Sequence, residues 1–440
     1  MRAARLLPRA AAAVAVLALC GGGGAPPAAG AAAVAPPTVH VAVDVSTRVS
    51  SRPVSGLLHG VTATAPPVRW IDPLRPGLWR CWFPGEPSAR MTRTGARIEL
   101  VVSDLWGYPG LDWYGRRPPW EDLGAWRDFV TALARRHPGG EVVWDIWNEP
   151  DMRYSWTGTR AQFLETYRVA AQAIRATAGP RAVIAGPSVG RFRWDWMAGL
   201  VRWCSTARCE VNALTWHELG DRGDITRIVT HARKARSLRD SGSGVAAAVR
   251  RLEVNESVAR EDALFPGEQA AYLAYMERAG IHASARACWQ DPDGTDTCAA
   301  PTLDGLLDAR TMRPRAVWWV MREYGRGVAS RVASTSGDRA VVALAARRGG
   351  GGARVLLGYF DTHRTPLPAQ VSLDLAFRGL GRARTATVAL TRIPATGAAP
   401  VQPVTKRWSR PVSGGRLRLT VAGVALHDAV VVEVAPGGGK

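Results

Sequence analysis

From about residue 54 the chain alternates between short apolar runs and stretches with helical spacing. The apolar runs fall at 54–61, 78–83, 97–103, 142–149, 182–188, 211–219, 252–256 and 281–289, and they are rich in Val, Ile, Leu and Trp. Short β-type runs separated by helical patterns predict β/α units, and eight of them close a barrel. The helix signals are clearest after 159. Thr159 with Gln162 makes a capping box, and Phe163, Tyr167, Ala170 and Ile174 follow on one helical face until Gly179-Pro180 stops it. Residues 121–136, 221–239, 267–279 and 313–324 carry similar patterns. Residues 61–78 and 83–97 leave little room for regular helices, so the first β/α units should be abbreviated.

After about residue 328 helical periodicity stops. Runs at 341–345, 354–359, 371–375, 385–391, 416–421 and 429–434, separated by Gly/Pro turns, read as a β-sandwich. Residues 38–46 alternate apolar and polar as a strand does, and precede the barrel. The fold class expected is therefore α/β, a (β/α)8 TIM barrel with a C-terminal β-sandwich. The organisation expected is a signal peptide and leader at 1–33, an N-terminal strand segment at 38–53 that pairs into the sandwich, a catalytic barrel at 54–327 and the sandwich at 328–440.

The leader changes the expected compartment. Arg2, Arg5 and Arg9 precede an apolar stretch from Ala10 to Leu19, too short to span a bilayer, and small residues follow. Cleavage among Ala28 to Ala33 would release a soluble, secreted protein. Cys20 has Leu19 before it where a lipoprotein signal wants a small residue, so lipid anchoring is the lesser reading. No other segment reads as a membrane span. In an oxidising compartment Cys204 with Cys209, and Cys288 with Cys298, are candidate local disulfides that leave Cys81 single. No Cys/His spacing suggests a zinc site, and no metal or organic cofactor is called for. The formal net charge is +20 and almost wholly arginine. Without a dense basic run or a nucleic-acid module, this reads as a solubilising surface, with no nucleic-acid partner expected.

Candidate chemistry concentrates at strand ends. Residues 144–151, Trp-Asp-Ile-Trp-Asn-Glu-Pro-Asp, end an apolar run in an amide, a carboxylate and a proline that cannot continue a strand. A second such tip, Leu252-Glu253-Val254-Asn255-Glu256, closes the seventh run. In a barrel, carboxylates at the C-terminal ends of strands four and seven face each other across the mouth. Glycoside hydrolysis needs such a pair: one group protonates the departing oxygen, and the other attacks the anomeric carbon or activates water. Further candidates for holding a sugar are His59, Arg80 and His217 at the ends of strands one, two and six, Trp106 in the aromatic loop after strand three, and Trp289 at the end of strand eight. Plain structure competes for several of these. Arg80 has Asp145 as a natural ion-pair partner, and buried tryptophans are mostly core.

Five segments together resemble clan A of the glycoside hydrolases, and most closely family 39, which includes β-xylosidases and α-L-iduronidases. They are Trp147-Asn148-Glu149-Pro150-Asp151, Ala185-Gly186-Pro187-Ser188, Trp216-His217-Glu218, Val254-Asn255-Glu256 and residues 302–319. The resemblance implies a retaining hydrolase of oligo- or polysaccharides. It implies that Glu149 is the general acid/base, Glu256 the nucleophile, and Asn148 the amide that reads the sugar's 2-hydroxyl and supports the nucleophile. The family pattern has a tyrosine after the His-Glu pair, where this chain has Leu219; His217 then stands as the candidate partner of the nucleophile. The alternative is a carbohydrate-binding pseudoenzyme that keeps the cleft without turnover.

Overall fold

The structure is a computed structural model that describes residues 35–81, 89–108, 117–140, 142–220, 225–241 and 248–437. The expected signal peptide and leader lie outside the described residues. Pro36–Lys440 forms one compact unit. Its first strand, β1 (Thr38–Arg48), precedes a closed barrel of eight. The barrel strands are β2 (Gly56–Leu57), β3 (Leu78–Cys81), β4 (Arg97–Val101), β5 (Val142–Asp145), β6 (Val183–Val189), β7 (Ala213–Glu218), β8 (Arg251–Ser257) and β9 (Ala283–Arg286). Every neighbouring pair is parallel, and β2 closes the ring against β9 through Leu57 and Arg286.

All eight apolar runs contribute a strand, but most strands stop short of their runs. β5 ends at Asp145, so residues 146–149 leave the ladder as an irregular turn with Glu149 at φ +49°. The first β/α units are abbreviated as expected, with helices of four residues at Val68–Ile71 and Ala89–Thr92. The capping box at Thr159 forms and opens the helix Arg160–Ala178. A helix at Trp194–Ala207 was not among those expected; it buries Met197, Leu200, Val201 and Cys204, spaced by three and four residues.

The C-terminal strands are β10 (Val332–Ser336), β11 (Val341–Arg347), β12 (Ala353–Tyr359), β13 (Gln370–Arg378), β14 (Thr385–Ile393), β15 (Val404–Pro411), β16 (Leu417–Ala425) and β17 (Ala429–Pro436). They build two sheets, ordered β10-β1-β13-β16 and β11-β12-β17-β14-β15. β1 runs antiparallel to β10 and parallel to β13, so the N-terminal strand is an integral sandwich strand. β10 and β15 were not anticipated. β15 has no buried position, hence no alternation to read.

The sandwich packs directly on the barrel helix Pro266–Arg278. Gly267 donates its N–H to His427 O at 2.7 Å, and a Cβ on Gly267 would run into the Tyr359 carbonyl. Two glycines, Gly267 and Gly358, therefore set the closeness of this seam. Both expected disulfides form, Cys204–Cys209 and Cys288–Cys298, and the Cys81 thiol is buried. No helix among the described residues is long and apolar enough to cross a membrane.

Candidate active site

The barrel interior carries charged side chains in successive layers, with Glu253 beside Arg97 and Arg251 near the strand starts and a larger cluster nearer the mouth. Alternation along a strand sends Asp145 inward while Trp144 packs outward under the helices. The same alternation turns Arg80 and Glu99 inward from β3 and β4, and Asn255 inward from β8. Ser188 joins them at the end of β6, and all five are buried.

Arg80 organises this layer. Its Nε and Nη2 donate to Asp145 Oδ2 at 3.0 and 2.7 Å, and Nη2 also donates to Asn148 Oδ1 at 2.8 Å. Nη1 donates to Glu256 Oε1 at 2.5 Å, and Glu99 Oε1 lies 3.3 Å from Nε. Burial disfavours the guanidinium charge, but Asp145, Glu256 and Glu99 outweigh it and hold its pKa above the usual arginine value. Asn255 ties the opposite wall in, its Nδ2 lying 2.8 Å from Glu99 Oε1, 2.9 Å from Ser188 Oγ and 3.1 Å from Asp145 Oδ2. Ser188 Oγ donates to Asp145 Oδ1 at 2.6 Å. The layer is thus a network in which one cation serves three carboxylates and an amide.

Glu149 and Glu256 stand above this layer. The turn after β5 is held by Glu149 N donating to Ser188 O at 2.8 Å and Asn148 N donating to Ser103 Oγ at 3.0 Å. One oxygen of Glu149, one of Glu256 and a ring nitrogen of His217 lie within 4.8 Å of one another. His217 Nδ1 shares a hydrogen bond with Glu149 Oε1 at 2.9 Å and is 3.8 Å from Glu256 Oε2. These three are also the group among the described residues whose spacing suits a cation. Arg80 and the Glu149–His217 bond already occupy them, so no ion is needed to hold them together.

The two carboxyl groups differ electrostatically. Burial pushes Glu149 up to about 7, with Asp151 adding to the effect and Arg80 opposing it. Burial also raises Glu256, with His217 and Arg80 pulling it back. Only Glu256 touches the guanidinium, and a charge-assisted bond of this kind favours the ionised form. His217 is held down to about 4 by burial, so at neutral pH it offers Glu149 a dipole and not a charge.

The remaining sugar-binding candidates separate into two groups. Arg80, Asn148 and His217 converge on the carboxyl pair. His217, expected beside the nucleophile, stands 3.8 Å from Glu256 Oε2, but its hydrogen bond goes to Glu149, and Arg80 makes the hydrogen bond to Glu256. His59 sits at the end of β2 with its N–H bound to Asp304 Oδ1 at 2.9 Å, and burial with Arg80 nearby lowers its pKa to about 3. Trp289 is half-buried three residues beyond β9; its Nε1 donates to Val258 O at 3.0 Å, beside the turn that follows Glu256. Trp106 does not join them. It is buried edge-on against Trp126 and Phe129 beneath the helix Leu123–Arg136, where aromatic area stabilises the wall.

Several site residues were not singled out from sequence. Asp104 follows β4, accepts from Ser103 Oγ at 3.1 Å and from Tyr108 Oη, and is pushed up to about 6 by burial. Glu99 and Asn255 had a readable signal, since each is a polar residue on the inward phase of an apolar strand. Gly190 had none. A Cβ there would sit 3.0 Å from Glu149 Oε1, a contact visible only in three dimensions.

Known proteins bear on this geometry. The description "Glycosyl hydrolases family 39" matches residues 111–253. Over that segment the chain is similar to this family. The matched segment ends in β8 and carries Asp145, Asn148, Glu149, Ser188 and His217. No curated protein matches the chain. Solved structures match over nearly its whole length. N2152 from Neocallimastix frontalis is 18% identical with a TM-score of 0.71, covering 91% of this chain and 100% of that one. A glucosidase from Croceicoccus marinus is 16% identical with a TM-score of 0.70, again over 91% and 100%. A monomeric β-xylosidase from Caulobacter crescentus CB15 is 15% identical with a TM-score of 0.63, over the same shares. At these identities the likeness establishes the barrel-plus-sandwich fold.

Proposed function

We propose that this glycosidase is secreted and cleaves O-glycosidic bonds of oligo- or polysaccharides with retention of configuration. Glu149 serves as general acid/base and Glu256 as nucleophile. The observation that carries the reading is the carboxylate spacing. One oxygen of each group lies within 4.8 Å of the other, a close approach that favours the about 5–5.5 Å group separation of a retaining pair over the about 6.5–9.5 Å of an inverting one. In the first step Glu149 gives its proton to the departing oxygen while Glu256 attacks the anomeric carbon, forming a glycosyl ester. In the second, Glu149 takes a proton from water as that water attacks the anomeric carbon and releases Glu256.

Asn148 has its Oδ1 fixed by Arg80 and no hydrogen bond on its side-chain N–H groups among the described residues, which suits them to a sugar hydroxyl. Trp289, tethered by its Nε1, supplies an apolar face for the ring. The two disulfides support an oxidising compartment. A sugar-binding barrel without turnover is not favoured, since both glutamates stand in different electrostatic settings suited to opposite roles. The test is product stereochemistry. Proton NMR of fresh hydrolysate from an aryl β-xyloside, or from the first cleaved member of an aryl glycoside panel, should show the substrate's own anomer before mutarotation. Initial release of the opposite anomer overturns the mechanism.

Two further outcomes follow from the geometry. The general acid must be protonated to act, and Glu149 titrates at about 7. kcat/KM should therefore fall as pH rises through about 7, a limb that Glu149→Gln abolishes along with most activity. Gly190→Ala should lower kcat by about tenfold with little change in thermal stability, because its methyl displaces the Glu149 carboxyl by a fraction of an ångström. Unchanged kcat in that variant would show that the turn yields instead.

A further inference from the structure

Asp151 closes the octet, yet the mechanism gives it no task. Its side chain is 1% exposed. Its Oδ1 accepts the Gly190 N–H at 2.9 Å, while Oδ2 is buried with no hydrogen-bond partner among the described residues. A bare buried carboxylate oxygen is costly and calls for a reason. Arg193 is in ion-pair range, its Nη1 4.0 Å from Oδ2. Arg193 is committed elsewhere: its Nε and Nη2 each donate to Asp195, both at 3.1 Å. Asp151 therefore has a cation only at the outer edge of ion-pair range. The Gly190 backbone that it holds is the surface against which the Glu149 carboxyl rests.

Glu149 is surrounded by charges of both signs. Arg80 from β3 and Asp151 act on it directly, His217 from β7 bonds to it, and Glu256 from β8 stands across the cleft. Arg80 is saturated by Asp145, Glu256 and Glu99. Asp151 stands out as the one whose carboxylate is buried and paired only at 4.0 Å, with one oxygen lacking a hydrogen bond among the described residues.

We propose that Asp151 is a positioning residue for Glu149: its hydrogen bond to Gly190 shapes the turn behind the Glu149 carboxyl, and its buried carboxylate stands two residues further along the same chain segment. This rests on the acid/base reading of Glu149. Without Asp151 the Glu149 proton is held less tightly, and the acid needed for the first step is depleted at neutral pH. Once the proton has been given up, the same charge favours its recovery from water in the second step.

The deciding variant is Asp151→Asn. The amide Oδ1 still accepts from Gly190, so the turn is kept while the charge is removed. The high-pH limb of kcat/KM should move toward acid by roughly one pH unit, the low end of the shift that a neighbouring charge produces. Melting temperature should change little. The Glu149 carboxyl should titrate lower by a similar amount in substrate-free protein, read by ¹³C-carboxyl NMR with Glu149→Gln assigning the signal. If both limb and NMR titration stay where they are, the proposal is overturned, as it is if Asp151→Asn only lowers stability. A lowered NMR titration in a protein that cleaves no aryl glycoside leaves the proposal standing and refutes the glycosidase assignment instead.

Discussion

Glu256→Gln should lower kcat by a factor on the order of 10⁴ or more, the scale seen when a covalent nucleophile is removed. The amide has nearly the same shape, and its Oε1 still accepts from Arg80, so the fold has no reason to change. What is lost is the negative oxygen that forms the glycosyl ester. The parent enzyme should be labelled at Glu256 by a 2-fluoro glycoside with a good leaving group, and intact-mass spectrometry should find no adduct on the variant. Turnover within tenfold of the parent would sink the assignment of Glu256, and with it the double displacement. Glu149 is distinct in this respect. Its replacement should harm substrates with poor leaving groups most, since those need the proton.

Arg80→Met should destabilise the protein by about 3–5 kcal/mol, the cost of stripping the partner from buried charges. The arginine is 2% exposed, and both Asp145 and Glu99 are fully buried. Burial already raises Glu99 well above the carboxylate range, with Asp145 and Glu253 adding to it and Arg80 opposing. Removing the guanidinium therefore leaves two buried carboxylates facing one another. Arg80→Lys should rescue little, because a point ammonium cannot span Asp145, Asn148 and Glu256 as the planar fork does. Adding Glu99→Gln to Arg80→Met should recover part of the loss by replacing a carboxyl group left without its cation beside Asp145. Urea unfolding of the three variants measures this. A loss under 1 kcal/mol for Arg80→Met would mean that water or proton uptake compensates the cluster.

The pattern of apolar runs by itself determined the architecture. Period-2 runs between helical stretches admit few packings, and eight of them make a closed ring whose strand tips share one face. It also determined which tips carry carboxylates, since Glu149 and Glu256 each stand at the end of an apolar run. Strand ends were less legible: β2 shrinks to two residues and β5 stops at Asp145 because ladder pairing, not local propensity, sets where a parallel strand ends. Only the tertiary structure decided who serves whom. Arg80 lies 69 and 176 positions from Glu149 and Glu256 in sequence, and no spacing rule links them. The fold alone gives Glu256 a cation and Glu149 a neutral imidazole with the Gly190 turn behind it. It also withdrew Trp106 from the cleft, since an aromatic that reads the same in sequence buries its face against whichever wall the barrel offers. Side-chain chemistry is local and readable along the chain. The field around each group is a sum over neighbours that only packing brings together.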